Sequence, residues 1–164
     1  MSSVIRILIA EDNSEFFEVC RERFGSVSDC EVVGHVRNGR ETIAAVERLR
    51  PDILTVDSES PGIGGLEILP IVRWCSPNTK VIVFSGCDNE ASVLEALELG
   101  ARGYIVKDDG TDMIKVVRAV QRGEVWARRR VVARLFDRLV SLASRTFQEE
   151  GELAPAPCLV KLIQ

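Results

Sequence analysis

Five positions carry groups suited to handling a phosphoryl group, and each closes or follows a short run rich in Val and Ile. Glu11 and Asp12 follow VIRILIA, Asp57 ends ILTVD, Ser85 ends KVIVFS, and Lys107 follows GYIV. Three carboxylates drawn into one crevice repel one another, and such a cluster is stable mainly when a cation shares it. A hard divalent ion such as Mg²⁺ suits all-oxygen ligands, with Asp12 and Asp57 as direct ligands and Glu11 acting through water. Once its charge is screened, Asp57 can act as a nucleophile toward phosphorus. Lys107 can neutralise a phosphoryl oxygen, and the Ser85 hydroxyl can donate to another.

For these groups to meet, the apolar runs must be parallel strands of one sheet. Runs near 4–10, 31–36, 53–57, 80–85 and 103–106 alternate with amphipathic segments, the pattern of βα units. The first, third and fourth are nearly continuous in apolar residues, as strands buried on both faces must be, so they are expected at the centre. Helices are expected over about 14–24 after Asn13, from 39 to Pro51, and over 66–75, 89–99 and 111–121. The result is a flavodoxin-like (βα)5 doubly wound sheet, order 2-1-3-4-5, occupying residues 1–122. Ligands in such sheets bind beyond the carboxyl ends of the strands, where the five groups fall.

Glu11-Asp12, Asp57, Ser85, Tyr104 and Lys107, each at a strand end, resemble in order the receiver domain of bacterial response regulators. Pro61 and Gly62 after Asp57 and the run Gly100-Ala-Arg-Gly-Tyr-Ile-Val-Lys107 add to the likeness. The resemblance implies that Asp57 accepts a phosphoryl group from the phosphohistidine of a sensor kinase. It also implies that the backbone carbonyl of Glu59 completes the Mg²⁺ site, and that Ser85 and Tyr104 switch together to remodel the helix 4 to helix 5 face. Two departures stand out: Ser58-Glu59 follows Asp57 where aliphatic or neutral side chains are usual, and Asp108 replaces the proline found after the lysine in many receivers. The second departure is shared with receivers of the NarL/FixJ (LuxR-type) subfamily and puts in doubt the cis peptide expected there.

Charge divides the chain. Residues 1–120 hold 13 basic and 20 acidic side chains, whereas residues 121–147 hold 7 and 2. The basic stretch, within 123–148, reads as a linker and amphipathic helix, with Val132, Leu135, Leu139 and Leu142 in 3-4-3 spacing and Arg130, Arg134 and Arg138 on another face. In NarL/FixJ-type regulators a helix-turn-helix domain of roughly 60 residues would follow. Residues 149–164 are too few for that and are expected to be a disordered tail, so DNA binding is not expected of the chain as it stands. A homodimer is expected, through the helix 4 to helix 5 face or the basic helix.

Five scattered cysteines and a single histidine, His35, argue against a zinc site or a disulfide framework. His35 falls in a strand and is assigned a structural role. No apolar run approaches the ~20 residues of a membrane span, and the N-terminus lacks a secretory pattern, so a cytoplasmic location is expected. Three other functions stand beside this one. A haloacid-dehalogenase-type phosphatase would place its nucleophile after the first core strand, a flavodoxin-like cofactor site needs a hydroxyl-rich loop where Glu11-Asp12 stand, and a receiver disabled by Glu59 would still bind partners.

Overall fold

The computed structural model describes residues 3–62 and 64–153. Five parallel strands, β1 (Ile5–Ala10), β2 (Cys30–Val36), β3 (Ile53–Asp57), β4 (Lys80–Ser85) and β5 (Gly103–Val106), form one sheet in the order β2-β1-β3-β4-β5. The three strands with continuous apolar runs are the interior ones, as expected. The connecting helices are α1 (Ser14–Gly25), α2 (Gly39–Leu49), α3 (Ile68–Cys75), α4 (Glu90–Glu98) and α5 (Met113–Gln121). They cover both faces of the sheet.

Alternation along the strands decides what each face buries. Ile5, Ile7 and Ile9 of β1, Ile82 and Phe84 of β4, and Ile105 of β5 join Cys20 and Phe24 of α1 and Val116, Val117 and Val120 of α5 in one cluster. The helices begin where polar caps satisfy their first amides: the side chains of Asn13, Asn38, Asn89 and Asp112 each accept backbone N–H groups. Helix α3 starts two residues later than the spacing predicts. Gly64 and Gly65 take positive φ and lead into a 3-10 turn, Gly65–Glu67, before the regular helix begins.

At the edge, β2 carries a bulge. Its register with β1 runs Ile7 to Val32 and then Leu8 to Gly34, skipping one residue. A Cβ at Gly34 would stand 3.0 Å from Leu8 Cδ1 and 3.3 Å from Leu49 Cδ1, so both leucines would have to shift to admit one. No cis peptide occurs among the described residues, and Asp108 has a φ of 63°, a left-handed conformation that Asp tolerates better than most residues.

Residues 3–128 form one unit, and helix α6 (Arg129–Leu153) belongs to a second. It extends past the expected end near Phe147 into the segment anticipated as tail. The rest of that tail, residues 154–164, lies outside the described residues. Along the helix Phe136, Leu139, Val140, Leu142 and Phe147 are all exposed, Phe147 by 71%. No helix among the described residues is long and apolar enough to cross a membrane.

Candidate functional site

Glu11, Asp12, Asp57, Ser85 and Lys107 sit at the carboxyl edge of the sheet because a strand ends beside each, whereas Tyr104, expected at a strand end, is the second residue of β5. Asp57 is the last residue of β3 and only 5% exposed, and Glu11, one residue past β1, is 2% exposed. Carboxylate oxygens of Glu11, Asp12 and Asp57 all lie within 4.8 Å of one another. Lys107, just beyond β5, reaches back between two of them, with Nζ 2.9 Å from Asp57 Oδ2 and 3.5 Å from Glu11 Oε2. Its backbone N–H donates to Ser85 O at 2.7 Å, tying the ends of β4 and β5 together.

The electrostatics follow from burial. Burial pushes the Glu11 carboxyl up to about 7; the Asn13 amide, which donates to Glu11 Oε1 at 2.9 Å, opposes this, and the Asp57 charge adds to it. For Lys107, burial pulls the ammonium downward, but its bond to Asp57 and the charges of Asp57 and Glu11 outweigh that, leaving it above its ordinary value. The site is thus rich in negative charge that a single ammonium offsets only partly. An all-carboxylate donor set of this spacing fits a hard divalent cation. Glu59 donates its backbone N–H to Asp57 Oδ1 at 2.9 Å, while its own carboxylate is exposed and leans over Gly86.

Ser85 Oγ accepts the Cys87 amide at 3.1 Å, and the Tyr104 hydroxyl donates to Cys87 O at 2.8 Å. Both expected switch residues therefore meet at one loop, and Tyr104 is buried, with its phenol pushed above its usual value by that burial. Two residues, Phe16 and Ser60, escaped the sequence reading. The Phe16 ring lies 4.3 Å below the Lys107 ammonium and edge-on to Phe84, a cation–π arrangement that steadies the lysine. Ser60, buried, accepts the Asp12 amide at 3.3 Å. His35, expected to be structural, lies in β2 and donates to the backbone carbonyl of Glu11. A small hydroxyl residue three positions after Asp57 and an aromatic within a turn of Asp12 were visible as types, but their contacts depend on tertiary placement. Cys20, Cys30, Cys75 and Cys87 are free thiols.

Comparison with known proteins agrees with this fold. Residues 7–118, well over half of the chain, match the response regulator receiver domain family. The chain is 30% identical to the nitrate/nitrite response regulator protein NarL of Escherichia coli K12 over 150 residues, covering 91% of this chain and 69% of the relative. It is 34% identical to the chemotaxis protein CheY of Thermotoga maritima over 102 residues, which cover 62% of this chain and 84% of CheY. Among solved structures, the signal receiver domain of the response regulator NarL from Mycobacterium tuberculosis superposes with a TM-score of 0.70 at 27% identity, covering 74% of this chain and 99% of that one. The protein belongs to the response regulator receiver family, with relatives of the NarL/LuxR type.

Proposed function

We propose that the chain is a phosphorylation-driven switch in which Asp57 accepts a phosphoryl group from the phosphohistidine of a sensor histidine kinase in the cytoplasm. The observation that carries the reading is the buried Asp57 carboxylate held between the Lys107 ammonium at 2.9 Å and the Glu59 amide at 2.9 Å, beside Glu11 and Asp12. In the transfer an Asp57 oxygen bonds to phosphorus, the P–N bond to the kinase imidazole breaks, and the imidazole regains its proton from solvent. Asp12, Asp57 and the backbone carbonyl of Glu59, with Glu11 through water, would hold Mg²⁺, which would neutralise charge on the phosphoryl oxygens. Lys107 exchanges its bond to Asp57 for one to the arriving phosphoryl group, and Ser85 releases the Cys87 amide to donate to another oxygen. Because Tyr104 holds the carbonyl of that same Cys87, movement of Ser85 is felt at Tyr104 and at the α4–β5–α5 face.

Residues 1–122 are then the switch and the basic helix is its output. The exposed apolar residues Phe136, Leu139, Val140, Leu142 and Phe147 of α6 favour self-association, so we read the protein as a homodimer that regulates through protein contact. Amide NMR with Mg²⁺ and beryllofluoride tests the whole reading. Shifts centred on Glu11, Asp12, Asp57, Ser85, Tyr104 and Lys107 are expected, together with a change in elution volume on size exclusion. An unperturbed spectrum would leave a phosphorylation-independent interaction module.

A further inference from the structure

The peptide unit that joins Glu11 to Asp12 is held by two side chains where backbone partners would be expected. Its carbonyl accepts His35 Nε2–H at 2.8 Å, and its N–H, the amide of Asp12, donates to Ser60 Oγ at 3.3 Å. The reason lies in the edge strand. Glu11 N–H still finds a ladder partner in Val36 O at 3.0 Å, but β2 ends there, and Asn38, whose amide would come next in a parallel ladder, already lies beyond the strand as the N-cap of α2. No backbone donor of β2 follows to take up the Glu11 carbonyl.

The bulge supplies a substitute. Upstream of it, Cys30 and Val32 pack on the α1 and α5 side of the sheet, so in an unbroken strand Gly34 would follow them and His35 would face the other way. Skipping one residue turns His35 to the α1 side, where its ring stacks on Phe17 with centroids 3.6 Å apart and planes 5° from parallel. Bulges beside functional sites characteristically re-aim a side chain in this manner. The stack holds the ring so that Nε2 addresses the Glu11 carbonyl. On the opposite side Ser60 belongs to the loop after Asp57, so the clamp also ties the Glu11-Asp12 turn to the third carboxylate.

We infer that His35 and Ser60 are positioning residues that fix the Glu11–Asp12 peptide plane, and thereby the relative placement of the carboxylates that take up Mg²⁺. The inference rests on the proposed receiver chemistry but concerns the order of the site before any phosphoryl transfer. Partners of this outer kind typically change metal affinity by about 10–100-fold when removed.

The test is calorimetric titration of the full chain with Mg²⁺ alone, with thermal melts of each variant. His35→Ala removes the donor and is expected to weaken Mg²⁺ binding about tenfold. His35→Gln places an amide N–H at a similar reach without the ring, and is expected to stay within about threefold of wild type. Phe17→Leu, which removes the stacking surface and leaves the donor, is expected to fall between the two. Ser60→Ala attacks the clamp from its other end and is expected to match His35→Ala, which keeps the test open if the alanine variant at 35 does not fold. Wild-type affinity in His35→Ala, or equal weakening in His35→Gln and His35→Ala, would overturn the inference and leave the receiver chemistry standing. Failure of the wild-type chain to bind Mg²⁺ would overturn both.

Discussion

The acid-lined sheet edge and helix α6 are organised in opposite ways. At the edge, nearly every polar group has an internal partner: Asp57 takes Lys107 and Glu59, Glu11 takes Asn13 and Lys107, and Ser85 takes Cys87. Along α6 the apolar residues Phe136, Leu139, Val140, Leu142 and Phe147 are exposed, whereas the apolar side chains that flank the edge, Ile9, Val56, Phe84 and Ile105, are buried. Internal partners of this kind hold the polar groups of a site in place before any ligand arrives. An amphipathic helix with an exposed apolar stripe is stabilised mainly by what it packs against. In the proposed reading the chemistry belongs to the unit that ends at Arg128, and α6 carries its consequence through contact with a partner.

Four perturbations break or sharpen that contrast. Lys107→Met removes the only ammonium in the site and is expected to slow phosphorylation by acetyl phosphate by about 10²–10³, the usual cost of losing a charge-stabilising donor. Stopped-flow or quench sampling of the adduct measures it, and a loss below threefold would contradict the role given to Lys107. Next is the pH dependence of the metal-free protein. Glu11 stands at about 7 when folded against an ordinary 4.5, so the folded state binds the extra proton between those values. Stability is then full below about pH 4.5 and falls as pH rises through 7, by on the order of 2–3 kcal/mol. Urea melts of Glu11→Gln are expected to lack that fall, and saturating Mg²⁺ is expected to remove it from the wild type.

The third perturbation belongs to the helix. Leu139→Glu is expected to weaken self-association by about 2 kcal/mol, roughly thirtyfold, while leaving the phosphorylation rate unchanged. Sedimentation equilibrium reads the first quantity and adduct formation the second; a change in both would mean that the two regions are not separable. The smallest effect is expected from Phe16→Leu. Loss of the cation–π contact with Lys107 is worth about 0.5–1 kcal/mol, a few-fold decrease in rate with the fold intact.

Much of the sheet edge was legible from sequence because two simple facts combine. Val and Ile runs locate parallel strands, and the residue at the end of each such strand is carried to the same side of the sheet. Asp57, Ser85 and Lys107 were found by that reasoning alone. His35 was not, because its direction depends on a one-residue slip at Gly34 that alternation cannot reveal. Phe16 escaped for a different reason: an aromatic in the first turn of a helix is usually core, and only the placement of β5 puts an ammonium over it. The end of α6 was missed because Gln148-Glu-Glu-Gly151 carries no apolar period, yet the helix runs on to Leu153.

The central claim is that Asp57 is the phosphoryl acceptor. Intact-protein mass after incubation with acetyl phosphate and Mg²⁺, for wild type and Asp57→Ala side by side, tests it most directly. One phosphoryl adduct on the wild-type chain, dependent on Mg²⁺ and absent from the variant, is the result expected. An adduct that persists in Asp57→Ala, or none on the wild type, would contradict it.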